Sequence, residues 1–182
     1  MATNAPKRQA GKRLMWLDHL SLLPGDSSVQ TSFNAVSSGV GGGLSGLVIQ
    51  STTTGDTAPG GGNKVVHKAL DVPPGLIIKG VRVCYELSNA RSFITQIRLA
   101  QVQDPPATAL VLLDDGTNHT APGPVCVDST PCTIDPAKGP LLLSLRRKLQ
   151  PKRPHVRQRR QRRERGFVRH GQLRLNFEWF HT

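Results

Sequence analysis

The sequence predicts a single all-β sandwich, jelly-roll-like, of about six to eight strands, and two observations carry that expectation. Between Lys64 and Arg146 five short aliphatic or β-branched runs follow one another, each bounded by Pro, Gly, Asn or Asp. Within the clearest of them, VRVCYEL, the residues Val81, Val83, Tyr85 and Leu87 alternate with Arg82, Cys84 and Glu86, the period-two pattern of a half-buried strand. Aromatics make up only 4% of the chain, while Gly and Pro number 18 and 14, so the core must be aliphatic and the connections turn-rich. A helical bundle is excluded.

Taken in order, residues 1–44 read as a disordered, flexible N-terminal arm, basic at its start. Inside it, Trp16, Leu20 and Leu23 fall at helical spacing ahead of Pro24 and Gly25, which predicts a short helix over 14–23. From Asp26 to Asn63 the Gly, Ser and Thr content predicts loop, with GLVIQS as one edge strand. Residues 45–146 form the sandwich domain, with KVVHKAL, GLIIKGVRVCYEL, TALVLLDD, GPVCVDS and PLLLSLR as strands. SNARSFITQIRLAQV carries both a helical spacing and a β-branched content. The strong strand before it favours a strand here too, since sequential strands tend to pair. The expected core is Val65, Leu76, Ile78, Val81, Val83, Tyr85, Ile97, Leu99, Leu110, Leu112, Val125 and Leu143.

Charge divides the chain. Residues 1–145 hold 11 Lys and Arg against 10 Asp and Glu, whereas residues 146–182 hold 13 against 2. The net charge of +12 therefore describes a basic C-terminal extension, residues 147–182, on a near-neutral body. Its arginines Arg157, Arg159, Arg160, Arg162, Arg163 and Arg165 suit the backbone of RNA or DNA, because guanidinium presents planar paired donors to phosphate. No aromatic is interleaved among them, so the contact they support is sequence-blind. A dedicated RNA- or DNA-binding protein using this tail is the first alternative, and a solvated basic patch competes with that reading. The abrupt change of alphabet at Arg146 is also what translation in a shifted reading frame would yield, on a truncated β domain. Against that, Leu173, Leu175, Phe177 and Trp179 alternate with polar residues, and 172–180 reads as a terminal strand.

Motifs for chemistry fall short. GDTAPGGGNK has Gly55 and Gly60 at phosphate-loop spacing, but Gly61 stands at the lysine position and Lys64 comes three residues late. GLSGL around Ser45 lacks the second glycine of a nucleophile elbow. Asp114, Asp115 and His119 in DDGTNHT offer hard-cation ligands on a turn, although such residues more often bond their own backbone. Asn118 begins an N-glycosylation pattern, relevant only to a secreted chain. Cys84 is expected as a free strand cysteine; Cys126 and Cys132 bracket a loop that a disulfide can close, and free thiols are favoured. No zinc spacing is present. The expectation is a non-catalytic binding or structural module of unknown small-molecule or macromolecular ligand, with no cofactor and no metal, able to self-associate. An enzyme is disfavoured. No run of 18 apolar residues and no recognisable signal peptide occur, so no membrane contact and an intracellular, cytoplasmic location are expected.

Overall fold

The computed structural model describes residues 12–36, 44–73, 75–87, 91–103, 108–149 and 173–181. Eleven strands account for most of them: β1 (Lys12–Leu17), β2 (Leu23–Pro24), β3 (Val29–Val36), β4 (Leu44–Ser51), β5 (Val65–Leu70), β6 (Leu76–Tyr85), β7 (Phe93–Val102), β8 (Ala109–Asp115), β9 (Val125–Asp128), β10 (Leu141–Lys148) and β11 (Leu173–His181). The first sheet runs β3-β4-β11-β6-β9, with β1 also paired to β11, and the second runs β2-β5-β10-β7-β8. Every pairing between these strands is antiparallel. The chain is an all-β sandwich.

Period-two alternation builds the core. On β6, Ile78, Val81, Val83 and Tyr85 face inward at 4% exposure or less, while on β10 Leu141, Leu143 and Leu145 meet Ile97 and Leu99 of β7 and Val66 of β5. Each such side chain stabilises the fold by about 1.5–3 kcal/mol relative to exposure. The segment with mixed helical and strand signals is β7, because its inward residues Ile97 and Leu99 pair in register with Leu145 and Leu143 of β10.

Several expectations require correction. Residues 14–23 are not helical: β1 is followed by a 3-10 turn over His19–Ser21, capped by the Asp18 carboxylate, which accepts from the Leu20 amide at 3.0 Å. Trp16, Leu20 and Leu23, the supposed helical stripe, are all exposed, and it is Met15, Leu17 and Leu22 that pack on the core. Pairing with β11, with Met15 opposite Phe177, overrides the local spacing. The stretch expected as loop holds the β3–β4 pair, joined from Val29↔Ser51 to Val36↔Leu44. Strands therefore begin at Lys12, well inside the segment expected as a flexible arm, and they number more than eight.

Two core assignments fail by position. Val66 is fully buried and Val65 half-buried, a one-residue difference in phase. Leu110 is 52% exposed because β8 is an edge strand and its register shifts where Leu99 and Ala100 of β7 pair with Leu113 and Val111.

Lys64 shows how the long 52–64 connection is held. Its side chain is fully buried, and its ammonium donates to the carbonyls of Thr53 (2.6 Å) and Thr54 (2.9 Å). Burial pulls its pKa below the ordinary lysine range, and the nearby Asp26 and Asp56 carboxylates oppose that shift. The lysine organises this loop from inside. It does not reach out toward a phosphate.

Candidate ligand-binding face

The alternation that buries Val81 and Val83 turns Gly80, Arg82 and Cys84 to the outer face of the first sheet. On the neighbouring edge strand β9, Cys126 and Asp128 are exposed while Val125 and Val127 pack on the core. Register sets Arg82 opposite Asp128 and Cys84 opposite Cys126. Arg82 grips Asp128 with both arms of its fork, Nε to Oδ1 at 2.6 Å and a terminal nitrogen to Oδ2 at 2.9 Å. This planar, charge-compensated pair stays accessible from solvent.

At the other side of the sheet β1 contributes two exposed apolar residues, Leu14 at 47% and Trp16 at 65%. Following the register across the sheet, Trp16 lies opposite Asn176, Asn176 opposite Arg82, and Arg82 opposite Asp128. Leu14 heads the next row, through Glu178 to Gly80. At Gly80 a side chain is missing where only the Ser129 hydroxyl would approach it, at 3.6 Å from an added Cβ. The face thus has an exposed indole and a hydrogen-bonding fork separated by two strand spacings, about 10 Å.

The cysteines are corrected here. Cys84 and Cys126 form a disulfide across 42 residues, and Cys132 is the free one. Cys84 was expected as a free cysteine; it lies on the outer side of β6 with Arg82, directly opposite Cys126. Cys126 is therefore not bonded to Cys132. Cys132 is half-buried against the Ile78 carbonyl, and burial pushes its thiol up to about 11 although the Lys79 charge pulls the other way. It is a poor nucleophile.

Asp114, Asp115 and His119 do not converge. Asp114 points outward from β8 and is held by Arg98, at 3.2 and 3.0 Å, and by Gln96. Asp115 points inward at 4% exposure and accepts from the amides of Thr117 (3.0 Å) and Thr130 (2.7 Å). Burial raises its pKa, but those hydrogen bonds and the neighbouring His119 outweigh it and leave the carboxyl below its ordinary value. Burial depresses His119, with Asp115 opposing. Asp114 braces the β7–β8 pair and Asp115 the loops beside it, and among the described residues no group of three or more His, Cys, Asp or Glu side chains is placed to hold a metal ion. Among the same residues no helix is long and apolar enough to cross a membrane.

Arg157, Arg159, Arg160, Arg162, Arg163 and Arg165 lie outside the described residues. Trp16 was hidden by the helical spacing, though the alternation of Leu14 and Trp16 with Met15 and Leu17 was its available signal. The Arg82–Asp128 fork left none, because the partners are 46 residues apart.

No protein-family model and no curated protein matches the chain. Two solved structures resemble it in outline. One is the C-terminal family 22 carbohydrate binding module of Clostridium thermocellum Xyn10B, at 8% identity and a TM-score of 0.48, covering 88% of this chain and 86% of that one. The other is a xylan-binding domain from family 22, at 9% identity and a TM-score of 0.42, with the same coverage.

Proposed function

We propose that this protein is a non-catalytic recognition module that binds a saccharide chain on the outer face of its first sheet. The observation that carries this is the row from Trp16 to the Arg82–Asp128 fork. An exposed indole offers a flat apolar surface for the carbon face of a sugar ring, and a charge-compensated fork offers both donors and acceptors to hydroxyls. Two strand spacings match roughly the reach of two linked rings. A rigid sheet reinforced by the Cys84–Cys126 bond keeps the two elements in place without ordering a loop on binding. What supports a saccharide ligand is this face, not the likeness in outline.

The test is a panel of neutral oligosaccharides and insoluble polysaccharides offered to the full chain, with binding read by indole fluorescence and by retention. Trp16→Ala should weaken binding about tenfold, the loss of one stacked ring. Its melting temperature should not change, since Trp16 is 65% exposed. If no saccharide is retained, or if Trp16→Ala binds as well as the parent, the proposal fails.

A further inference from the structure

A second region stands apart from that face, at the end of the sandwich where β10 finishes and β11 begins. Here Lys64, Arg147, Ile94 and His119 lie side by side across four neighbouring segments. The Arg147 amide donates to the Lys64 carbonyl at 3.0 Å, Arg147 is in register with Ile94, and the His119 amide donates to the Ile94 carbonyl at 2.9 Å. All four residues are buried, Arg147 and His119 each at 9% exposure. The first sheet brings Tyr85 to the same end: residues 119 to 124 lead directly from His119 to Val125, the register partner of Tyr85. Gly123 makes that close passage, with φ at +78° and room for no side chain against the Tyr85 carbonyl.

Among the described residues, the buried side-chain atoms that lack a hydrogen-bond partner include Arg147 Nε, His119 Nε2, Tyr85 OH and Thr95 Oγ1 at this end, with Thr53 Oγ1 on the segment that meets Lys64. Arg146 alternates to the other side of β10, where it meets Asp56. Most of the atoms at this end are donors. Native interiors leave few such atoms without partners, so a cluster of them calls for an occupant.

The charges point to its sign. Lys64 is met by two carbonyls, and Arg146 reaches the Asp56 carboxylate at 3.0 Å, whereas no carboxylate among the described residues is paired with Arg147. Burial alone pulls the Arg147 guanidinium down to about 10, the signature of a cation taken from water without a counter-charge. One carboxylate, Asp115, acts on His119, and it already accepts from the amides of Thr117 and Thr130. Residues 150–172 leave from Leu149 and return at Leu173, both at this end, and their sequence holds nine Lys and Arg but one acid, Glu164.

We propose that this end of the sandwich binds a phosphate or sulfate group, with Arg147 as its central cation and Tyr85, Thr95 and His119 as hydrogen-bonding partners. An oxyanion with three or four acceptor oxygens satisfies a guanidinium and several hydroxyls together, which a single carboxylate does not.

The experiment uses the full chain at constant ionic strength, exchanging chloride for inorganic phosphate in one arm and adding a sulfated oligosaccharide in another, with melting temperature and phosphorus NMR as readouts. Binding in the first arm identifies a free anion as sufficient, and binding in the second alone identifies one carried on a polymer; either supports the site. Saturating anion should raise the melting temperature by about 3 °C or more. Arg147→Met should raise the anion-free melting temperature and abolish the anion response. Tyr85→Phe and Thr95→Val, which keep the cation, should each weaken binding about fivefold, the loss of one hydrogen bond. These two carry the test if Arg147→Met does not fold.

Three results would overturn the proposal. The first is an anion response missing from the parent and from Glu164→Gln alike. The second is a response that persists in Arg147→Met but vanishes when the six arginines from Arg157 to Arg165 become Gln, which would place the contact in the tail. The third is a response that appears only in Glu164→Gln, meaning that the chain's own carboxylate fills the site. Trp16→Ala should leave the response intact, so failure here is separable from failure of the saccharide face.

Discussion

Replacing both Cys84 and Cys126 by Ser tests the register of the outer sheet edge. The bond ties β9 to β6, and β9 is a four-residue edge strand held otherwise by one ladder, the Arg82–Asp128 pair and the packing of Val125 and Val127. Cys126 is exposed and Cys84 half-exposed, so the substitution removes little buried area and leaves no cavity. Its effect therefore falls mainly on the unfolded chain. For a closed loop with a sequence separation of 42, the loss of loop-closure constraint corresponds to about 4 kcal/mol. At this chain length that is a fall in melting temperature of about 10 °C. The assay is chemical denaturation of air-oxidised protein, parent against double variant, each with and without reductant. The parent should drop to the level of the variant on reduction, and the variant should not respond. A proteolytic map without reductant should show the 84-containing peptide joined to the 126-containing one. Cys126 joined to Cys132, or three free thiols after air oxidation, would refute the assigned pairing. A reducing compartment keeps such a pair as thiols, which is why the oxidised sample is specified.

Other outcomes follow from the same structure. Leu143→Ala removes a fully buried side chain from the middle of the second sheet and should cost about 2–5 kcal/mol in denaturant titration; a loss below about 1 kcal/mol would mean that Leu143 is not in the core. Burial holds His67 and His119 below 6.5, Asp115 partly opposing at His119, so the unfolded chain binds protons that the folded one refuses. Stability should fall as pH drops through 6.5 and level off below the folded values, and His67→Gln should flatten part of that slope; urea midpoints unchanged between pH 7 and 5 would contradict it. Asp115 acts lower: its contribution is present above 3.8 and disappears as pH falls through its depressed folded value, so Asp115→Asn should blunt the acid transition. For the basic extension, neutralising about six phosphates should give a slope of log affinity against log salt of about −4 on single strands and about −5 on duplex. Changing the six arginines from Arg157 to Arg165 to Gln should remove that binding, and salt-independent affinity would show that they are not the contact.

By itself the sequence determined the class of the fold and the inward side of its best strands. Val81, Val83 and Tyr85 alternate with charged or polar neighbours over a span that no helix period fits, and Leu143, Leu99 and Ile97 sit in aliphatic runs that demand burial. It also determined that the charge belongs to the C-terminal residues and that no familiar catalytic spacing is present. Tertiary structure decided everything that depends on which strands become neighbours. Whether Trp16 starts a helix or an edge strand turned on an available partner edge in β11, some 160 residues further along the chain, and a hydrophobic stripe of ten residues cannot report that. Cys84 found Cys126, Arg82 found Asp128, and Arg147 came to rest between Lys64 and Ile94 for the same reason. Period-two alternation specifies the side of the sheet a residue occupies, but the residue opposite it is chosen by the order in which strands assemble, and that order is set by packing two sheets over one core.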